Sequence, residues 1–274
     1  MRILHTSDWH LGKSLEQINR IAEQKEFIDC LCKTMEEQNI DLVLVAGDIY
    51  DTYNPSAAAE ELFYEAVDRL NDKGKRAVVV IAGNHDNPER LCAASPLAYK
   101  NGIILLGYPG SDAAMYKINS ENIKIVDSGP GWLELCVPAC QYHAVIITLP
   151  YPVFYSGSTL AYSFSEAEHS KAVYIIEAVP GEKAEIKSLY LNCGKPLRRW
   201  VAEEGIGQAI AWCEEGRDSN AWIDLEILTD RVLTVEEQKA LRALHHGIIN
   251  IRPRLNILII TESAELPGCW RTLT

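Results

Sequence analysis

Three short stretches hold the residues that could do chemistry: Asp8-Trp9-His10, Gly47-Asp48 and Gly83-Asn84-His85-Asp86. They offer carboxylates from Asp8 and Asp48, an imidazole from His10 and an amide oxygen from Asn84. A mixed oxygen and nitrogen set suits Mn²⁺, Fe²⁺ or Zn²⁺, and the lack of thiolate argues against a structural zinc. A central carboxylate can bridge two cations ~3.5–4 Å apart, the separation used for in-line displacement at phosphorus. Asp48, on the middle stretch, is the natural bridge. His85 directly follows a candidate ligand, so its imidazole is expected to face a substrate. There it would stabilise the transition state or protonate the leaving oxygen. Asp86 is the candidate to orient it. A polar turn after a strand says little when met singly; the weight lies in all three, in this order.

The elements around these stretches make their convergence plausible on physical grounds. Residues 3–6, 42–46 and 77–82 are short apolar runs, each ending at one of the three stretches. Continuous rather than alternating apolar character predicts strands covered on both faces. Between them, residues 20–38 carry Ile21, Phe27, Ile28, Leu31 and Met35 at helical spacing, and 56–70 carry Leu62, Phe63, Val67 and Leu70, with Ser56 as N-cap. Strand, helix, strand, helix, strand implies a parallel α/β sheet with right-handed crossovers. The carboxyl ends of such strands share one edge, where ligands bind.

From Gly102 onward the texture changes. Residues 103–106, 123–126, 132–137 and 144–149 are predicted strands, and 171–179 with 185–191 a hairpin around Pro180-Gly181. A basic, Pro-marked break at 196–200 is expected to be a linker. Beyond it a helix at 203–215, a strand at 221–228, a helix at 235–246 and a strand at 254–260 are expected. They would form a small split β-α-β unit. The domain reading is 1–193 and 194–274.

Composition narrows the function classes. With 274 residues, 47% hydrophobic, the chain can build a sizeable core. No apolar run approaches the ~18 residues of a membrane helix, and the opening residues predict no signal peptide. The eight cysteines follow no zinc spacing and are expected to be reduced, in a cytoplasmic protein. A formal net charge of −12 excludes gripping nucleic acid with the whole surface. A nuclease so charged needs a local basic strip, bound cations or a partner.

Asp-x-His, Gly-Asp-x-x-Asp (Gly47 to Asp51) and Gly-Asn-His-Asp resemble the first three signatures of the calcineurin-like metallophosphoesterases. Longer strings resemble the SbcD family of nuclease subunits within them. These are His5-Thr6-Ser7-Asp8-Trp9-His10-Leu11-Gly12, Ala46-Gly47-Asp48-Ile49-Tyr50-Asp51, Leu149-Pro150-Tyr151-Pro152, and Tyr155-Ser156-Gly157-Ser158 with the following Leu160 to Glu166. Asn220-Ala221-Trp222-Ile223 and Asn250-Ile251-Arg252-Pro253 extend the likeness into the second domain. The resemblance implies a layered sheet with helices and a C-terminal capping domain. It further implies two Mn²⁺ ions, exonuclease and endonuclease cleavage of DNA in repair and recombination, homodimers, and an SbcC-type ATPase partner.

The resemblance also implies ligands that this sequence lacks. Members carry a further His after Leu-Pro-Tyr-Pro and then Gly-His-x-His before Tyr-Ser-Gly-Ser. Here Pro152 runs directly into Val153-Phe154-Tyr155, and no Gly-His-x-His occurs in the 274 residues. An internal deletion near 152/153 is expected, leaving the second ion little beyond Asp48 and Asn84 and the activity of the chain impaired. His143, His169 and His5 are not expected to substitute. His245 and His246 are expected in the last turn of a helix, interacting with its dipole. Arg198-Arg199-Trp200 fits either a DNA-backbone contact or a solvated linker with one anchoring Trp. Glu134 and Glu166 are expected at the solvated surface. Two other function classes fit the first three motifs: a small-molecule phosphodiesterase or phosphatase, and a catalytically deficient binding subunit.

Overall fold

The computed structural model describes residues 1–108, 110, 123–137, 140–148 and 156–255. In chain order the elements are β1 (Arg2–Thr6), β2 (Ser14–Leu15), β3 (Ile18–Asn19), α1 (Ile21–Gln38), β4 (Leu42–Ala46), α2 (Ala57–Asn71) and β5 (Ala77–Ile81). Then come α3 (Pro88–Cys92), α4 (Ser95–Ala98), β6 (Ile103–Leu106), β7 (Lys124–Gly129), β8 (Trp132–Cys136), β9 (Ala144–Ile147), β10 (Ala172–Glu177) and β11 (Glu185–Tyr190). The last are β12 (Leu197–Ala202), α5 (Ile206–Glu214), β13 (Trp222–Thr229), α6 (Val235–Leu244) and β14 (Ile248–Leu255). They form two compact units, Met1–Leu197 and Arg198–Thr274.

In the first unit a six-stranded sheet runs β11-β10-β1-β4-β5-β6. β1, β4, β5 and β6 are parallel, and β10 adds antiparallel to β1. The apolar runs are continuous because both faces are covered. Val43, Val45, Val78, Val80, Ile103 and Leu105 pack with Phe27, Leu31, Phe63 and Leu70 of α1 and α2. Leu42, Val79, Ile104 and Leu106 turn the other way, onto Leu133 and Leu135 of the β7-β8-β9 sheet. Each fully buried Leu or Phe of these layers stabilises the fold by roughly 1.5–3 kcal/mol. Helix α2 begins as expected, with Ser56 Oγ accepting the Ala59 N–H.

In the second unit, α5 and α6 pack on a β12-β13-β14 sheet around Trp200, Ile223, Leu225 and Leu241. Three expectations are corrected here. The break at 196–200 is not a linker: Leu197–Ala202 is strand β12, with Trp200 1% exposed and its Nε1 donating to Asp218 Oδ2 at 2.9 Å. The final strand starts at Ile248 rather than at 254. Its Arg252 and Arg254 pair with Asp224 and Glu226 of β13, so charges stand inside a strand. The expected part of that strand beyond 255 lies outside the described residues. Helix α6 ends at Leu244, and His245 is its C-cap. The His245 Nδ1 accepts the Gly247 N–H at 3.1 Å, so the contact is a ring-nitrogen bond rather than a cation at a helix end. Among the described residues, no helix is long and apolar enough to cross a membrane.

Candidate metal centre

The loops after β1, β4 and β5 are laced together by their own backbones. Asp8 N–H donates to Gly47 O (3.0 Å), His10 N–H to Asp48 O (2.9 Å), Leu11 N–H to Ile49 O (2.8 Å) and Gly47 N–H to Ile81 O (3.0 Å). The sheet's parallel pairing thus continues past its strands, and it carries Asp8, His10 and Asp48 to one edge. Asp8, His10 and Asp48 have φ of 51°, 45° and 48°. Left-handed backbone is costly outside glycine, although Asp and His tolerate it better than most residues. Strain of this kind collects where a side chain must be aimed.

Two glycines permit the loops to meet. Gly47 has a φ of +88° and lies against Gly83. A Cβ at residue 83 would stand 2.2 Å from both the backbone N and Oδ1 of Asp48. Only hydrogen fits there.

The ligand atoms of Asp8, His10 and Asp48 lie within 4.8 Å of one another, as do those of His10, Asp51 and His85. His10 Nε2 is 4.0 Å from Asp48 Oδ2, and its Nδ1 is 3.5 Å from Asp51 Oδ1. Asp8 and His10 are each 8% exposed. Burial, and next the Lys13 ammonium, lower the His10 pKa and so favour the neutral imidazole, the form that ligates. His10 Nδ1 is buried with no hydrogen-bond partner. Nδ1 faces the Asp51 carboxylate at 3.5 Å, which leaves Nε2, on the Asp48 side, as the nitrogen that fits a divalent ion among the carboxylates. Asn84 is exposed at the same edge, between Gly83 and His85.

Burial first, and the Asp48 charge next, raise the Asp8 pKa from its ordinary 3.8 to about 6. Asp8 therefore holds its proton more tightly folded than unfolded. Its contribution to the ion-free chain is complete below pH 3.8 and is lost as pH rises through about 6. Relative to an Asp8→Asn variant, the native chain should lose on the order of 3 kcal/mol across that window. Urea unfolding in a chelator measures it, and parallel pH profiles for the two chains would contradict the buried carboxylate.

The structure separates the two residues expected to act on substrate. His85 is exposed, as expected of a group that faces substrate, and its N–H donates to Asp48 Oδ1 at 3.0 Å. Its ring stands edge-on to His10, centroids 5.0 Å apart. Asp86 does not orient it. The Asp86 carboxylate is 2% exposed and accepts the N–H groups of Gly83 (2.7 Å), Tyr50 (2.8 Å) and Ile49 (3.1 Å). It fastens the Asp48 loop to the Asn84 loop. The partner of His85 is Asp51, whose carbonyl oxygen lies 2.9 Å from His85 Nδ1. With the proton on Nδ1, donated to that carbonyl, Nε2 is left for a substrate. Asp51 thus stands by both rings, and sequence reading missed it, although it closes the Gly-Asp-x-x-Asp signature.

The remaining histidines lie elsewhere. His143 Nδ1 is 2.7 Å from Glu134 Oε1, which takes Glu134 out of the purely solvated surface, and His169 is exposed. Glu166 likewise pairs with Lys171. The expected deletion at 152/153 lies outside the described residues.

The family model of the calcineurin-like phosphoesterases matches residues 1–139. The SbcD subunit of the nuclease SbcCD from Bacillus subtilis (strain 168) is 38% identical over 334 residues, covering 92% of this chain and 85% of the relative. That aligned span exceeds the 274 residues of the chain, so part of the relative lies opposite gaps here. The chain belongs to the calcineurin-like phosphoesterases, a metal-dependent hydrolase family, among the relatives of the SbcD nuclease subunits.

Proposed function

We propose that this chain is the nuclease subunit of a DNA-processing complex, working in the cytoplasm as a homodimer with an SbcC-type ATPase. The observation that carries the reading is the Asp8, His10 and Asp48 cluster at the carboxyl edge of the sheet, with His85 exposed beside it. The name of the Bacillus subtilis relative supports the nuclease reading and the SbcC-type partner. A partner that grips DNA also answers the net charge of −12.

Asp8, His10, Asp48 and Asn84 would hold two divalent ions, and Mn²⁺ suits the donor set. Such ions polarise a phosphodiester oxygen and make water a competent nucleophile at neutral pH. The chain's own residues do the rest. Protonated on both nitrogens, His85 would give its Nε2 proton to the leaving oxygen and keep its Nδ1 proton on the Asp51 carbonyl. The Asp51 carbonyl fixes the His85 tautomer, and the Asp51 carboxylate faces His10 Nδ1, as carboxylates commonly do behind metal-ligating imidazoles. Asp86 keeps the two loops at a fixed spacing. Residues 194–274 would be the capping domain that helps position DNA.

With no Gly-His-x-His in the sequence, the second ion is held weakly and loads only at high concentration. The test is cleavage of linear duplex DNA by the chain with its ATPase partner, at Mn²⁺ high enough to load that position. Mn²⁺-dependent cutting that His85→Ala removes is expected. Turnover of bis-p-nitrophenyl phosphate with no cutting of DNA would replace this reading with a small-molecule phosphodiesterase. Loss of both activities would leave a binding subunit.

A further inference from the structure

The loop of residues 8–12 has left-handed backbone at Asp8, His10 and Gly12, with φ of 51°, 45° and 90°. Its backbone is held by the ladder to Gly47, Asp48 and Ile49 and by the Lys13 N–H bond to His10 O, and strained backbone of this kind needs support from side chains as well. Two buried side chains from distant parts of the chain supply it. Gln24, in the first turn of α1 and 1% exposed, uses both sides of its amide on the loop. Its Oε1 accepts the Gly12 N–H at 2.9 Å, and its Nε2 donates to His10 O at 3.0 Å. The same Nε2 donates to the Tyr162 hydroxyl at 3.0 Å, and that hydroxyl donates to Trp9 O at 2.8 Å. The Tyr162 ring stands edge-on to the His10 ring, centroids 6.0 Å apart. Arg20 lies over the Tyr162 ring, donates to Ala161 O and makes two bonds to Glu23, of 2.9 and 2.6 Å, and so anchors the tyrosine.

We propose that Gln24 and Tyr162 are positioning residues for the metal centre: their closed, buried network sets the backbone from Trp9 to Gly12 and thereby aims the Asp8 and His10 side chains. The inference rests on the reading of Asp8, His10 and Asp48 as ligands. A buried network with every member satisfied is rigid, and removing one member leaves others unpaired in a low-dielectric interior. In Tyr162→Phe the ring stays beside His10 while Trp9 O loses its donor. In Gln24→Leu volume is kept while Gly12 N–H loses its partner and His10 O keeps only the Lys13 N–H. Supports of this kind behind a ligand are worth roughly 10–100-fold in metal affinity.

The experiment has two arms, both on the full chain. Mn²⁺ titration by calorimetry is run on the native chain, Tyr162→Phe, Gln24→Leu and Val67→Ala. Val67→Ala is a core variant on α2, chosen as a control for stability loss alone. Hydrogen exchange of the peptide covering residues 7–15 is followed in chelator. The expected result is a fall of about tenfold or more in Mn²⁺ affinity for both network variants, none for Val67→Ala, and faster exchange at residues 9–12 without metal. Native affinity in both network variants, or unchanged exchange in that peptide, overturns the inference. A native chain that binds no Mn²⁺ fails the ligand reading instead, and the exchange arm then still decides whether the network shapes the loop. If one variant fails to fold, the other carries the test.

Discussion

Gly83→Ala is expected to disrupt the centre with a single methyl group. The added Cβ would sit 2.2 Å from Asp48 N and Asp48 Oδ1. The Oδ1 contact could be relieved by turning the Asp48 side chain, at the cost of its bond to the His85 N–H. The contact with Asp48 N cannot be relieved that way, because that atom is backbone, tied into the ladder through Asp48 O and the His10 N–H. The loops after β4 and β5 must therefore part, and Asp86, which bonds N–H groups in both, is stretched with them. Overpacking costs typically 1–3 kcal/mol, and a backbone contact this close belongs at about 3 kcal/mol. For a chain of this size that lowers Tm by roughly 5 °C. Ion affinity should fall with it, since Asp48 loses its position. A Gly83→Ala chain with native Tm and native Mn²⁺ binding would mean that the loops do not meet as described.

His85→Ala should act on turnover and leave binding alone. The imidazole is exposed, tied by Nδ1 to Asp51 O, and placed beside rather than within the Asp8, His10 and Asp48 cluster. Loss of a positioned proton donor costs typically 10²–10⁴-fold in rate. At Mn²⁺ high enough to load the weak second position, kcat for DNA cleavage should fall in that range with KM nearly constant. Mn²⁺ affinity should stay native. His85 could instead be a ligand, since its ring also groups with His10 and Asp51. Lys13 argues against a cation there, because its Nζ is already 3.1 Å from Asp51 Oδ1. A variant that loses Mn²⁺ binding would place His85 among the ligands, and one that cuts DNA at the native rate would remove it from the chemistry.

The parts legible in the sequence are those whose cause is local. The runs ending at Asp8, Gly47 and Gly83 read as strands because both faces of that sheet are covered, so Leu42 and Val43 alike must be apolar. The three polar stretches follow from parallel topology, which places strand ends on one edge. What stayed hidden depends on long-range contacts or on main-chain atoms. Asp51 acts on His85 through its carbonyl, which no residue type announces. Gln24 reads as one more polar position on α1, and its partners are main-chain atoms of Gly12 and His10 and the hydroxyl of Tyr162, 138 residues away. Asp86 sits beside His85 in sequence, but its neighbour's side chain points outward while its own points into the fold. In the second unit, paired charges on β13 and β14 hid the start of a strand. At Leu197–Ala202, two adjacent exposed arginines broke the alternation that would have marked one.

The metal centre stands or falls on whether the Asp8, His10 and Asp48 cluster binds a divalent ion. Mn²⁺ titrated by calorimetry into the 274-residue chain at pH above the Asp8 pKa of about 6, beside Asp48→Asn, measures it. Asparagine tolerates the left-handed backbone at residue 48, so the variant removes charge and spares the fold. The predicted result is one tight site and one weak site in the native chain, with the tight site weakened roughly 100-fold or more in the variant. A native chain that binds no Mn²⁺, or a tight site that Asp48→Asn leaves intact, would contradict it.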